Sequence, residues 1–470
     1  MTAATSGDIA GCKAALAHLD LDDNPATVKQ KSRDFFWYSP VLKARMDHLT
    51  ADFVVAPKSE AEVVEALAAA HAHDVPVTTR GAGTGNYGQA MPLTGGMVLH
   101  LKHMTAIREV APGRLRAEAG AIMGQLDREL RLNGQELRLH PSTVNTASLG
   151  GFIAGGSGGV GSIRWGGLRD AGNILGLRLV TCEAAPRVIE LEGEDIAKAT
   201  HAYGVNGIIT EVAVPLAPAY DWVDVLVGFD DWAACNRYAD MMGNQDAILL
   251  KELATVAAPI GHDYFLRHKK FIRREQALAV TMVAPHSLDA FLTVTARDKR
   301  ADILFQSDRD ETEGLPPAYE LAWNHTTLRA LRVDPAITYL QVLYGAPDHV
   351  EKILRMTEIF GDEVPGHVEF VRMDGRLRGA GLPLVRFTTE ERLEEIMAIH
   401  EAEGCPVFNP HRYTLEEGGM KQTDPLQLAF KRETDPKGLL NPGKMIAWDD
   451  PDYDFASDQL YLFPGMSAAS

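Results

Sequence analysis

Two glycine-rich stretches, Gly81 to Gly96 and Gly150 to Gly167, constrain this 470-residue chain more than any other feature. Glycine weakens helix and strand interiors and serves where the backbone turns sharply or is closely approached. Both stretches therefore read as loops. Pro141 to Ile163 is uncharged and long enough to cross a bilayer, but it holds seven glycines. The expectation is that no helix forms there and that it is not a membrane span.

Around the loops, short strands alternate with helices. Asp52 to Ala56 reads as a strand, and Ser59-x-x-Glu62 as a capping box opening a helix with Val63, Val64, Ala66, Leu67 and Ala70 on its apolar face. Further strands are expected at Val75 to Thr79, Met97 to Leu101, Arg116 to Ala119, Leu175 to Thr181, Val188 to Leu191 and Ile208 to Pro215. Helices are expected over Met123 to Leu132, stopped by Asn133-Gly134, and from about Asp195. From about Ala219 glycines thin out. Strand-like runs at Leu278 to Val283 and Thr338 to Tyr344 are each followed by a helix, which suits a sheet with helices on one side. The chain is α+β, with a second domain after the glycine-rich one.

Composition narrows the function classes. Lys and Arg total 46 against 64 Asp and Glu, a net charge of −18, and a nucleic acid partner is not expected. The basic run Arg267-His268-Lys269-Lys270 with Arg273-Arg274 reads as a solvated face, the alternative being a subunit or redox-partner contact. Four dispersed cysteines argue for a reduced compartment and against structural zinc. Met1 to Asp20 lacks the features of a signal peptide, so the expected location is cytoplasmic.

Gly83-Thr84-Gly85-Asn86-Tyr87-Gly88 matches the GxGxxG pattern, but Pro92 and Gly95-Gly96 prevent the helix that a dinucleotide-binding Rossmann unit requires. The loop can still gather backbone N–H groups around phosphate oxygens. The second cluster permits equally close approach to a flat ligand. The bland alternative for both is a pair of tight turns where strands cross.

Four segments resemble flavoproteins of the vanillyl-alcohol oxidase / p-cresol methylhydroxylase fold, especially the D-lactate/glycolate dehydrogenase-type branch acting on 2-hydroxy acids. They are Ala56-Pro57-Lys58-Ser59 with Glu62-Val63; Val75-Pro76 with Arg80-Gly81-Ala82-Gly83-Thr84-Gly85; Pro141-Ser142-Thr143 with Leu149-Gly150-Gly151; and Gly204-x-x-Gly207-Ile208-Ile209-Thr210-Glu211. Asp435-Pro436-Lys437-Gly438-x-Leu440-Asn441-Pro442-Gly443-Lys444 is similar to the family's closing motif. The resemblance implies an FAD-binding domain of two α/β subdomains over 1–218 (core about 48–218), an α+β cap over 219–404, and a return to the FAD domain over 405–470.

It also implies that Arg80, Gly81, Ala82, Gly83, Thr84 and Gly85 hold the FAD pyrophosphate, with Asn86 and Gly88 continuing the cradle. Pro141, Ser142, Thr143, Gly150, Gly151, Ile153, Ala154, Ser157, Gly158, Gly159 and Gly161 would line the isoalloxazine and ribityl chain, and Ile209 would pair through its backbone. Thr84 stands where covalently tethering members carry histidine, and the second loop has no cysteine, so noncovalent FAD is expected. The histidine-rich H-x-G-D-G-N-x-H stretch is absent and Glu416-Glu417-Gly418 replaces Glu-His-Gly; no metal is assigned.

Oxidising an alcohol over a flavin needs a base, and a carboxylate substrate also needs an arginine fork. Asn409-Pro410-His411-Arg412-Tyr413 offers His411 as base, Arg412 or Arg372 as clamp and Tyr413 for orientation, its alternative being a polar loop satisfying its own backbone. His325 and His367 are further candidates. The expected activity is oxidation of a small hydroxylated substrate, a 2-hydroxy acid first, by hydride transfer to flavin N5. A phenolic or sugar-type alcohol, or a noncatalytic FAD-binding electron-transfer subunit, are the rivals. The electron acceptor (oxygen, a quinone or a redox protein) and homo-oligomerisation stay open.

Overall fold

The computed structural model describes residues 7–156 and 158–456. Among them, the first glycine loop leaves the carboxyl end of a small, largely parallel sheet in the spatial order Leu21–Asp22, Phe53–Val55, Met97–His100, Val77–Arg80. The helix Glu60–Ala72 makes the crossover and buries Val63, Ala66, Leu67 and Ala70. Ser59 Oγ accepts from Glu62 N at 3.3 Å, while the Glu62 carboxylate reaches back to Lys58 N at 2.8 Å, one residue earlier than a standard capping box.

An antiparallel sheet follows, in the order Ile107–Ala111, Arg114–Glu118, Ile208–Pro218, Gly176–Val180, Val188–Leu191, with Gln135–Leu137 also on the long strand Ile208–Pro218. Helix Met123–Arg131 covers it with Met123, Leu126 and Leu130. Two expectations fail here. Leu149–Gly155 is a helix despite its glycines. A Cβ on Gly150 would stand 2.5 Å from the Ala119 Cβ, so glycine is what lets this helix lie against the sheet. The helix from Asp195 is only a 3₁₀ turn, Gly193–Lys198.

The cap is an eight-stranded antiparallel sheet, ordered Asp302–Gln306, Val223–Phe229, Ala277–Val283, Leu250–Val256, His367–Met373, Arg376–Gly381, Gln341–Tyr344, Val407–Phe408. Helices Trp232–Gly243, Leu288–Thr295, His349–Phe360 and Glu390–Ala402 contribute to the core on one face, through residues such as Tyr238, Phe291, Ile353 and Ile396. The run Thr338 to Tyr344 is not one strand: Ile337–Tyr339 pairs with Leu384–Arg386 in a separate ribbon, and only Gln341–Tyr344 joins the cap sheet. Because Val407–Phe408 pairs with Gln341 and Val342, the chain leaves the cap after Phe408 rather than at 404.

The closing segment then docks on the first sheet. Val77 N donates to Leu439 O and Asn441 N to Val77 O, both at 2.8 Å. Buried Asp435 organises the turn, accepting from Leu439 N, Leu440 N and Lys431 Nζ at 2.9, 2.8 and 2.5 Å. No described helix is long and apolar enough to cross a membrane. In the basic run Arg267, Lys269, Lys270, Arg273 and Arg274 are exposed, with Arg273 ion-paired to Asp230 and Arg274 to Asp263, whereas His268 is buried.

The fit at Gly150 gives a test. Gly150→Ala should cost about 1–3 kcal/mol through overpacking against Ala119, read as a lower midpoint in urea denaturation of the protein.

Candidate functional site

A cavity of about 280 Å³ lies between the glycine loops and the cap sheet. From the first domain its wall takes Gly81, Ala82, Gly83, Thr84, Gly85, Asn86, Pro141, Ser142, Thr143, Gly150, Gly151, Ala154, Gly158 and Ile209, all expected from the sequence, together with Gly155 and Gly156. The cap supplies Trp323, Gln341, Leu343, Met373 and Leu382, and Phe408 closes the same side.

Five expected cofactor residues do not reach this wall. Ile153 is in the hydrophobic core; Gly88 packs on Met46 and Tyr413; Gly159 and Gly161 press on the carbonyls of His140 and Arg138. Arg80 lies beneath the first loop, and Ser157 lies outside the described residues. Arg80 donates to the carbonyls of Lys31, Arg33 and Ala82. Gly83 has φ +72°, and a Cβ there would sit 2.2 Å from Arg80 Nη2. The guanidinium therefore occupies the space a side chain at Gly83 would need.

The loop is held from the same side by other distant residues. Lys444 Nζ donates to Gly88 O at 2.5 Å, Asn441 Nδ2 to Gln89 O at 2.8 Å, and Ala90 N to Asp34 Oδ2 at 3.1 Å. Burial pushes the Asp34 carboxyl up to about 6 and the Lys444 ammonium down to about 7, while their mutual attraction opposes both shifts.

The wall suits a large polar ligand. Thr79 Oγ1, Asn86 Nδ2, Ser148 Oγ and Tyr203 OH are buried at it without a hydrogen-bond partner among the described residues. Each such group costs about 1–3 kcal/mol unless something pairs it. A Cβ on Gly155 would meet no atom within 4 Å and would stand in the cavity. These features, unpaired polar groups and open space at a glycine-lined wall, fit FAD.

The catalytic candidates fare differently. His411 is buried away from the cavity: its Nε2 donates to Tyr339 O at 3.1 Å, so Nδ1, 2.7 Å from Ser39 Oγ, accepts the hydroxyl proton. Both ring nitrogens are committed, and burial lowers the pKa to about 3. Arg412 pairs with Glu394 at 2.5 Å, and Tyr413 lies under Lys444 Nζ, 4.9 Å from its ring centre. His367 is fully buried, 2.7 Å from Glu369 Oε1, and His325 is also off the wall; burial lowers each to about 4. Arg372 does reach the wall, but its Nη2 donates to Gly243 O at 2.7 Å, at the end of helix Trp232–Gly243. The structure thus does not assemble His411, Arg412 and Tyr413 into a site.

It brings forward two residues that the sequence reading passed over. Arg169, in the turn closing the second glycine cluster, and His201, at φ +48°, both line the cavity. The His201 ring lies between Gly156 and Gly419, whose Cβ positions would fall 2.1 Å from its Cγ and 2.7 Å from its Nε2. Burial, then the Arg169 charge, holds its pKa well below the usual histidine value, so it is neutral at pH 7. Burial lowers Arg169 to about 10, which still leaves it charged. The available signals were local: His201 begins the run leading to Gly204 and Gly207, and Arg169 follows Gly166-Gly167.

Comparison with known proteins agrees with this geometry. Residues 51–189 match the model of the FAD binding domain family. Glycolate oxidase subunit GlcD of Bacillus subtilis is 32% identical over 179 residues, which cover 36% of this chain and 37% of that subunit, little more than a third of its length. An uncharacterized FAD-linked oxidoreductase of Mycobacterium tuberculosis is 24% identical over 434 residues, covering 83% of this chain and 90% of the relative. Substrate-bound p-cresol methylhydroxylase superposes with a TM-score of 0.68 at 15% identity, over 95% of this chain and 97% of that one. Residues 51–189 thus form an FAD binding domain, and the chain has the fold seen in p-cresol methylhydroxylase. FAD is its cofactor.

Gly155→Leu puts at the cavity wall a side chain whose Cβ meets no protein atom within 4 Å. We expect it to retain the thermal stability of the FAD-free protein while weakening FAD binding about tenfold or more, equivalent to about 1.4 kcal/mol, by fluorescence titration.

Proposed function

We propose that the chain is an FAD-dependent oxidoreductase that oxidises a small hydroxylated substrate, a 2-hydroxy acid in the first instance. The observation carrying this reading is the presence of a neutral imidazole, His201, and a guanidinium, Arg169, on the wall of one cavity between the FAD domain and the cap. When bound, FAD supplies the two-electron acceptor. Arg169 holds the substrate carboxylate through paired N–H donors, and His201 takes the hydroxyl proton as the alcohol becomes a carbonyl. Trp323, Leu343 and Phe408 give the site an apolar cap side that excludes water from the reacting carbon. The GlcD relative, named for glycolate, supports the acid class.

Arg169→Met and His201→Asn test these roles under anaerobic turnover with a dye acceptor. Arg169→Met should raise KM for 2-hydroxy acids, with an effect of about 1.5–3 kcal/mol for the lost charged hydrogen bonds, and leave neutral alcohols unchanged. His201→Asn should lower kcat about 10²–10⁴-fold. Unaltered acid kinetics in both variants, or equal activity on uncharged phenols and alcohols, would transfer the assignment to the phenolic or sugar-alcohol class.

A further inference from the structure

Outside the machinery assigned above, the face of the cap sheet turned to the cavity carries a buried acidic cluster of which the sequence singled out only His367. Glu252 is on strand Leu250–Val256, and His367 and Glu369 are on the adjacent strand His367–Met373; all three are fully or almost fully buried. Burial and mutual repulsion raise the Glu252 carboxyl and burial raises that of Glu369, so the pair shares a proton rather than carrying two charges.

Both N–H groups of Trp323 end on this pair. Its backbone N–H donates to Glu369 Oε1 at 2.6 Å and its indole Nε1–H to Glu252 Oε2 at 3.0 Å. His367 Nε2 meets the same Glu369 oxygen at 2.7 Å. Trp323 has φ +52°, a conformation that a bulky residue adopts only when its surroundings impose it. Here the cost coincides with a definite placement of the ring. A Cβ on Gly158, in the second glycine loop, would lie 3.1 Å from Trp323 Cη2 and Cζ3, and both residues line the cavity. The indole therefore spans from the cap to the loop beside the flavin site. An ordinary core tryptophan needs neither the strained backbone nor two buried carboxyls to orient it.

We propose that Trp323 is the size-selecting wall of the substrate chamber, fixed over Gly158 by the Glu252–Glu369 pair acting as positioning residues. The proposal rests on the reading of this cavity as the oxidation site. It assigns to Trp323 an upper limit on substrate length that a smaller residue would relax. Glu252 and Glu369 act through it and touch no substrate.

The test uses the FAD-loaded protein and ligand binding rather than turnover. Visible difference spectra of the flavin are recorded while straight-chain 2-oxo acids of increasing length, and separately 4-alkylphenols of increasing length, are added. In the wild type, affinity should fall sharply beyond a short chain. W323A should shift that limit to longer chains, improving the ratio of long- to short-chain affinity about tenfold or more, the scale of pocket discrimination per methylene. E252Q keeps an acceptor for the indole N–H and should retain the wild-type limit, whereas E252L should move it toward that of W323A. If E252L fails to fold, W323A against E252Q still decides.

An unchanged chain-length ladder in W323A overturns the proposal. A shifted ladder among the phenols, with no acid binding, supports the wall and contradicts the 2-hydroxy acid reading. Absence of any spectral response from either series in the wild type and W323A contradicts both.

Discussion

A buried guanidinium under a glycine turn organises the cofactor side of this protein. Arg80 ends a parallel strand, reaches beneath the loop it introduces and donates to three backbone carbonyls. Gly83 must lack a side chain because the guanidinium fills that space. Asp34, from the N-terminal segment, offsets the positive charge and holds Ala90 N, while Asn441 and Lys444 of the closing segment take the carbonyls of Gln89 and Gly88. A buried charge is tolerated where an opposite charge and hydrogen bonds offset its desolvation, and here Nη1 and Nη2 of Arg80 make those bonds. The outcome is a loop whose polar groups are secured on one side and whose other side faces the cavity.

The second glycine cluster is fixed by contacts of a different kind. Gly150 lies against Ala119, and Gly159 presses on the His140 carbonyl. Gly161 N donates to Lys251 O of the cap at 2.8 Å. Lys251 also carries a buried ion pair between the two domains: its Nζ is 2.7 Å from Glu136, which accepts from Arg131 and Trp222 as well. The cap strand that fixes the loop thus also carries Glu252, one residue on, which holds Trp323 over Gly158. Cofactor loop, domain junction and substrate wall meet on one strand.

Much of this was legible from residue pattern. The glycine clusters, the capping box at Ser59 and the closing Asp435–Lys444 motif mark the FAD domain because their constraints are local: backbone approach, a cap, a tight turn. The helix Leu149–Gly155 escaped because propensity disfavours it and only its packing on Ala119 reveals why glycine is tolerated. Arg80 read as a phosphate ligand from its place beside the loop, whereas its side chain turns under it. The base and clamp misled for a further reason. His411 and Arg412 are adjacent in sequence but face a buried serine and a surface glutamate, while Arg169 and His201 converge only in three dimensions. The Glu252–Glu369 pair is likewise formed across strands and has no signature along the chain.

The most direct test of the central claim is the visible spectrum of the purified protein before denaturation, and of the filtrate after it. The account predicts flavin bands on the native protein that pass wholly into the filtrate as intact FAD, since Thr84 stands at the cavity wall and offers no side chain for a tether. A colourless protein that takes up no added FAD, or colour retained with the denatured chain, would contradict it.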